Sequence, residues 1–286
     1  MKTSRRDFLI KSSLALGSAS IISPLSFGHN LKNKNEVEPF GFQVWTIRKK
    51  LIEDFPGTLK MMAGMGYKEV EMCSPLGYSG SGFEPLNKMS GSEMRTIIED
   101  QGLICRSSHY TSGELRESLD NRIEWSQQMG ITQIILSSFG LPKDASVDDF
   151  RRAADELNKI GEKTKAAGIQ AGFHNHHGEF EKRGDELIYD ALLDELDPDL
   201  VKMQFQVAVV NIGYNASDYF RKYPGRFISA HLTDWSKQED KTVPVGQGIV
   251  NWNDFFKAAK TGGVKNFYVE QSPDMFEGSA KFLSNL

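Results

Sequence analysis

The sequence predicts an α/β fold, a (β/α)8 TIM barrel built as a single domain after an N-terminal export signal. Three observations predict it. Eight short apolar, β-rich runs alternate with helix-period segments, the pattern of a parallel sheet with an outer helix ring. Glycines 66, 102, 130, 168, 225 and 263 stand at or just before the start of a run, where a helix end needs a left-handed residue. Finally, 286 residues leave room for one barrel of typically ~250 residues and no second full domain.

Taken in order, residues 1–28 come first and are set apart from the fold. Ser4-Arg5-Arg6-Asp7-Phe8-Leu9-Ile10-Lys11 places twin arginines before a mildly apolar stretch, Ser12 to Leu25, with small residues near Ser26-Phe27-Gly28. This reads as a twin-arginine-type signal peptide, so the twin-arginine export machinery is an expected partner and the location is periplasmic or otherwise exported. A retained basic or lipid-anchored N-terminus is the alternative. Residues 29–38 form an extension, and the barrel runs 39–286.

The eight strands are expected at 41–45, 69–72, 104–109, 133–136, 170–174, 201–207, 227–232 and 266–270. Between them, 114–129 and 147–167 repeat apolar residues at three- and four-residue steps with charges opposite, as amphipathic helices do. A doubly wound open sheet is the competing fold. It is disfavoured because Trp45-Thr46-Ile47-Arg48 follows the first strand where a glycine-rich phosphate turn would stand.

Net charge is −4, and removing the +3 of residues 1–28 leaves −7 on the rest. No clustered basic stripe accompanies it, which argues against a nucleic-acid partner. The two cysteines, Cys73 and Cys105, fall on neighbouring strands and read as buried free thiols, with a bridge as the alternative.

In such barrels chemistry gathers at the C-terminal ends of the strands. Five of the six histidines, His109, His174, His176, His177 and His231, fall there. If strand geometry persists through Asn175, alternation turns His174 and His176 to the same side, as half of a metal site or as an acid/base pair. His177 then faces away. Glu71, ending the second strand, is a candidate for sugar hydroxyls, and Glu69 for the same or for an ion pair toward a helix. His109 is a candidate acid or hydroxyl-binding group, Trp45 a stacking surface for a sugar ring, and Asp234 a substrate ligand or a partner that orients His231.

The His174-Asn175-His176 segment, Tyr223-Pro224-Gly225-Arg226-Phe227 leading to His231-Leu232-Thr233-Asp234, Val245-Gly246-Gln247-Gly248 before Trp252, and Tyr268-Val269-Glu270-Gln271 together resemble the xylose-isomerase-like sugar phosphate isomerase/epimerase family. The resemblance implies one divalent cation held by carboxylate, Asp, His and Glu ligands from four late strands. Carried over, the Glu falls on Glu270 and the His on His231. Gln206 takes the Asp place and His174 the first carboxylate place, and both depart from the family pattern. The expected metal set is therefore His174, Gln206, His231 and Glu270. With one formal negative charge it suits Zn or Mn better than Mg, and the metal is retained, weakened or lost. Glu179 is either a replacement carboxylate or a solvated loop residue. Relatives carry Lys where Thr233 stands.

The resemblance implies a sugar isomerase/epimerase, and the export signal makes a non-phosphorylated carbohydrate its expected substrate. Proton abstraction next to a carbonyl is assigned to His176 and Glu270, with metal assistance. A lyase or hydratase acting on keto-glycosides uses the same chemistry. A non-catalytic sugar-binding barrel is the alternative of another class, and a metal-dependent endonuclease is disfavoured by the acidic body. A homo-oligomer is compatible with the family.

Overall fold

The structure is a computed structural model that describes residues 39–286. The segments expected to be a signal peptide, residues 1–28, and an extension, residues 29–38, lie outside the described residues, as does His29. The described chain is a closed eight-stranded parallel barrel wrapped by helices. Its strands are β1 Gly41–Gln43, β2 Glu69–Cys73, β3 Ile104–Tyr110, β4 Gln133–Leu136, β5 Gln170–His174, β6 Val201–Gln206, β7 Phe227–Leu232 and β8 Asn266–Val269. Each pairs in parallel with the next, and β8 closes on β1 through Gly41 opposite Tyr268 and Phe42 opposite Val269. The open-sheet alternative is thereby set aside.

All six marker glycines have positive φ, from 70° at Gly225 to 106° at Gly66, which side-chain-bearing residues adopt at a cost. Gly130 and Gly263 cap their helices in the left-handed conformation. Two boundaries differ from expectation. β1 stops at Gln43 because Val44 already turns, at φ −82° and ψ −11°, into a short 3-10 helix, Trp45–Ile47. The helix expected over 114–129 is two, Ser112–Glu117 and Leu119–Met129, broken where Ser118 leaves helical geometry at φ −139°, ψ 26°. Val147–Ala166 is one helix, started by the reciprocal Ser146–Asp149 capping box.

The outward faces of the strands pack a continuous apolar core under the helices, with Phe42, Val70, Phe173, Phe205 and Phe227 all buried. The inward faces are polar. Glu69, Glu71, Ser107, Gln133, Gln204, Ser229 and Asn266 are buried inside the barrel, where bulky branched residues usually dominate. Both cysteines are free and buried. No helix among the described residues is long and apolar enough to cross a membrane.

Candidate active site

At the mouth, β3, β5 and β7 each carry an inward histidine at the strand end or one residue before it: His109, His174 and His231 are all at most 5% exposed. Their rings meet. His109 stacks on His231 with centroids 5.2 Å apart and planes within 11°, and His174 lies 4.4 Å from His231 and 5.0 Å from His109. One nitrogen from each ring falls within 4.8 Å of the others.

Two carboxylates flank the triplet. His231 Nδ1 donates to Glu270 Oε2 at 2.9 Å, and its Nε2 donates to Glu71 Oε2 at 2.5 Å. Burial would lower the pKa of His231, but the charges and hydrogen bonds of Glu71 and Glu270 raise it to about 9. The complementary effect appears on the acids. Burial pushes Glu71 and Glu270 upward, yet the neighbouring imidazoles overcome it, bringing Glu71 to about 2 and Glu270 below its ordinary value. In the absence of a metal the centre is thus an imidazolium between two carboxylates. His109 and His174 are pushed down chiefly by burial, so both are neutral imidazoles with a lone pair to offer.

The remaining polar groups fix these side chains. Gln204 at the barrel centre accepts from His109 Nε2 at 2.7 Å and donates to Glu71 and to Ser229. Gln206 donates through Nε2 to Glu270 Oε2 at 2.7 Å, while its Oε1 accepts from Ala208 N–H. Asn175 is buried, and its Oδ1 accepts the Gln206 N–H.

Above the histidines a cavity of about 260 Å³ opens between the strand ends. The ends of β1 and β2 bring Gln43, Trp45, Cys73 and Tyr78; β3 and β5 bring His109, His174 and His176; the loop after β4 brings Ser137 and Ser138; the end of β8 brings Glu270. Among the described residues no Lys or Arg lines it. Trp45 is held rigid, with the Arg48 guanidinium 4.2 Å over its ring and Tyr78 edge-on at 5.8 Å. A larger cavity of about 450 Å³ lies outside the barrel, against Met61, Met62, Met65 and Phe276, and holds none of the buried titratable groups described above.

The sequence candidates distribute as follows. His174, His231, Gln206 and Glu270 come together at the mouth, and Trp45, His109 and His176 line the same cavity. His176 is exposed, because β5 ends at His174 rather than continuing through Asn175. It nonetheless meets His174 edge-on at 4.8 Å, and Glu179 holds its backbone N–H at 2.7 Å. Glu179 is therefore a buried loop anchor, neither a replacement carboxylate nor solvated. His177 faces out and contacts Asn211.

Two candidates are placed elsewhere than expected. Glu71 lies below the mouth with both oxygens engaged and does not line the cavity. Asp234 does not line it either. Its carboxylate accepts from the N–H groups of Trp235, Gly246, Gly248 and Val250 and from Trp252 Nε1, so it organises the loop after β7 rather than orienting His231. Glu69 sits deeper, paired with Arg106 at 3.1 Å. Thr233 accepts from Gln271. Gln204, Tyr78, Ser137 and Ser138 went unmarked in the sequence. Gln204 was legible as the inward residue two before Gln206, whereas the loop residues carried no signal.

The residues fit a divalent ion. Three imidazoles converge, and His174 Nδ1 is buried with no hydrogen-bond partner among the described residues. Glu71 supplies a second negative charge beside Glu270 that the four-residue set lacked, offsetting the charge of a cation.

A model of the xylose isomerase-like TIM barrel family matches residues 59–286. An inosose dehydratase of Clostridium perfringens is 27% identical over 148 residues, covering 44% of this chain and 49% of the relative. The chain thus spans about half the length of the curated relatives it matches. A sugar phosphate isomerase/epimerase from Parabacteroides distasonis superposes with a TM-score of 0.74 at 24% identity, covering 88% of this chain and 95% of that one. The IOLI protein, solved with a bound zinc atom, superposes with a TM-score of 0.57 at 13% identity, covering 86% and 94%. Both likenesses show the fold.

Proposed function

The chain belongs to the xylose isomerase-like TIM barrel family, and on that premise we propose that it is an exported enzyme removing a proton next to the carbonyl of an uncharged keto-sugar or keto-cyclitol. Loss of water from the neighbouring carbon is the outcome we favour. The carrying observation is Glu270, a carboxylate held ionised by His231 in a cavity that also presents His176 and, among the described residues, no Lys or Arg.

Glu270 is the base for the α-proton. Gln206 and His231 both donate to its Oε2, which aims the carboxylate and leaves Oε1 for the substrate. His176, on the exposed rim, donates a proton to the departing hydroxyl, which leaves as water while the electron pair of the broken C–H bond forms the C=C bond. Trp45 offers an apolar face to the C–H side of a ring, and Ser137 and Ser138 offer hydroxyls to its oxygens. A divalent ion would be held by His109, His174 and His231, the last giving up one of its two carboxylate hydrogen bonds to free a lone pair, with zinc or manganese preferred by so nitrogen-rich a set, and would supply polarisation of the substrate carbonyl.

The matching inosose dehydratases support elimination over isomerisation or epimerisation, which need the same proton abstraction followed by reprotonation. The absence of Lys and Arg from the lining, among the described residues, supports a substrate without phosphate, because a phosphate group finds no guanidinium or ammonium partner there. Incubation with a neutral inosose and with a phosphorylated ketose tests both points. Loss of one water from the neutral compound alone is expected. Faster turnover of the phosphate would overturn the substrate class, and tight binding of the inosose without turnover would leave a sugar-binding barrel. The Arg5-Arg6 segment supports export of the folded barrel, and replacing both by Lys should hold the protein inside fractionated cells.

A further inference from the structure

The geometry points to Glu71 as the positioning residue of this site, the group that decides which nitrogen of His231 is presented to Glu270. Its consequence for turnover rests on the acid–base reading above; its geometry does not. Glu71 is fully buried on β2, two residues before the strand ends, and three other strands converge on its carboxylate. Oε1 accepts from Ser107 Oγ on β3 at 2.6 Å and from Gln204 Nε2 on β6 at 2.7 Å. Oε2 accepts from His231 Nε2 on β7 at 2.5 Å and lies 3.3 Å from His109 Nε2.

An imidazole in a polar interior can sit either way round, and the hydrogen bond at one nitrogen fixes which way. With Nε2 held from below by Glu71, Nδ1 must turn toward the mouth, where it meets Glu270 at 2.9 Å. Order therefore runs upward from Ser107 and Gln204 to Glu71, then His231, then the carboxylate that lines the cavity. Glu69 provides the internal control. It lies on the same strand and the same inner face two residues earlier and is also buried. Its partners are Arg106, Asn266 and Tyr268, none of which lines the cavity.

The test compares Glu71→Gln with Glu69→Gln in the full chain, reading His231 by imidazole 1H–15N spectra without metal, zinc affinity by chelator competition, steady-state kinetics and melting temperature. For Glu71→Gln the hydrogen-bonded Nε2 proton of His231 should disappear and zinc affinity should fall roughly 10–100-fold. The variant should also lower kcat while KM stays within about twofold, the pattern of a lost transition-state interaction. Glu69→Gln should lower the melting temperature and move nothing else. If Glu71→Gln does not fold, Ser107→Ala, which removes one donor to Glu71, should give the same pattern at smaller amplitude. The assignment is overturned if the Nε2 proton survives in Glu71→Gln, or if the two Gln variants change only melting temperature. Failure of the wild type to turn over any keto-sugar would count against the proposed reaction, and the spectra would still decide the role of Glu71.

Discussion

The barrel interior is polar at both ends, and the two ends use polarity differently. Near the floor, Glu69 accepts from Arg106, Asn266 and Tyr268, and Gln133 donates to Asn266 at 2.6 Å. One carboxylate is thus surrounded by an arginine and neutral donors, a set that satisfies buried charge through hydrogen bonds. At the mouth, three imidazoles pack against each other, His109 stacked on His231 and His174 tilted against both, and a cavity opens above them. Packing titratable rings together in this way gains little stability and shifts the pKa of every member, a mark of a working site. On the proposed function, the floor holds the barrel closed and the mouth carries the chemistry.

His231→Ala should break this contrast most severely. It strips the cation from between Glu71 and Glu270, and removing one partner of a buried ion pair costs about 3–5 kcal/mol. Urea unfolding of metal-free protein reads this directly, and zinc binding should be lost in parallel. His176→Ala should instead separate chemistry from stability. The ring is exposed, so unfolding free energy should stay within about 0.5 kcal/mol, while kcat falls roughly a hundredfold or more. Equal losses in both quantities would make His176 structural.

The pH dependence of metal-free stability sharpens the comparison further. His231 has its pKa raised from 6.5 to about 9, so its contribution is fully present below 6.5 and is lost as pH rises through 9. Glu71 is lowered from 4.5 to about 2, so its contribution is present above 4.5 and is lost as pH falls through 2. These are two ends of one interaction and count once. Stability should therefore be flat between about pH 4.5 and 6.5 as far as this pair is concerned, with an alkaline limb of at most about 1.4 kcal/mol per pH unit for one proton. Glu69→Gln should keep the alkaline limb and His231→Ala should lack it. Smallest of all, Ser138→Ala should raise KM a fewfold with kcat nearly unchanged, as loss of a uniform binding contact does.

Much of the fold was legible because its signals are local. All eight strands fell within a few residues of their expected positions, and the glycines that divide them are left-handed because the turn into each strand demands it. The composition of the mouth was partly legible, since strand ends carry the histidines. Depth was not. Alternation showed that Glu69 and Glu71 share a face, but only the pairing of Cys73 with His109 and of Glu71 with Ser107 shows that Glu71 lies below the mouth. Nor could spacing reveal that Asp234 would be consumed by a loop closing back on it from Gly246 to Trp252, or that β5 would end before His176. Those outcomes depend on contacts between segments far apart in the chain.

Loss of a label from the reacting carbon tests the division between mouth and floor most directly. An inosose deuterated at the carbon next to the carbonyl is incubated in ordinary water with wild type, Glu270→Gln and Glu69→Gln, each at saturating zinc, and loss of that deuterium is followed by NMR. Wild type and Glu69→Gln should release it at similar rates, and Glu270→Gln roughly a thousandfold more slowly, the size expected for a missing general base. Undiminished release by Glu270→Gln, or equal slowing in both variants, would contradict the assignment of chemistry to the mouth.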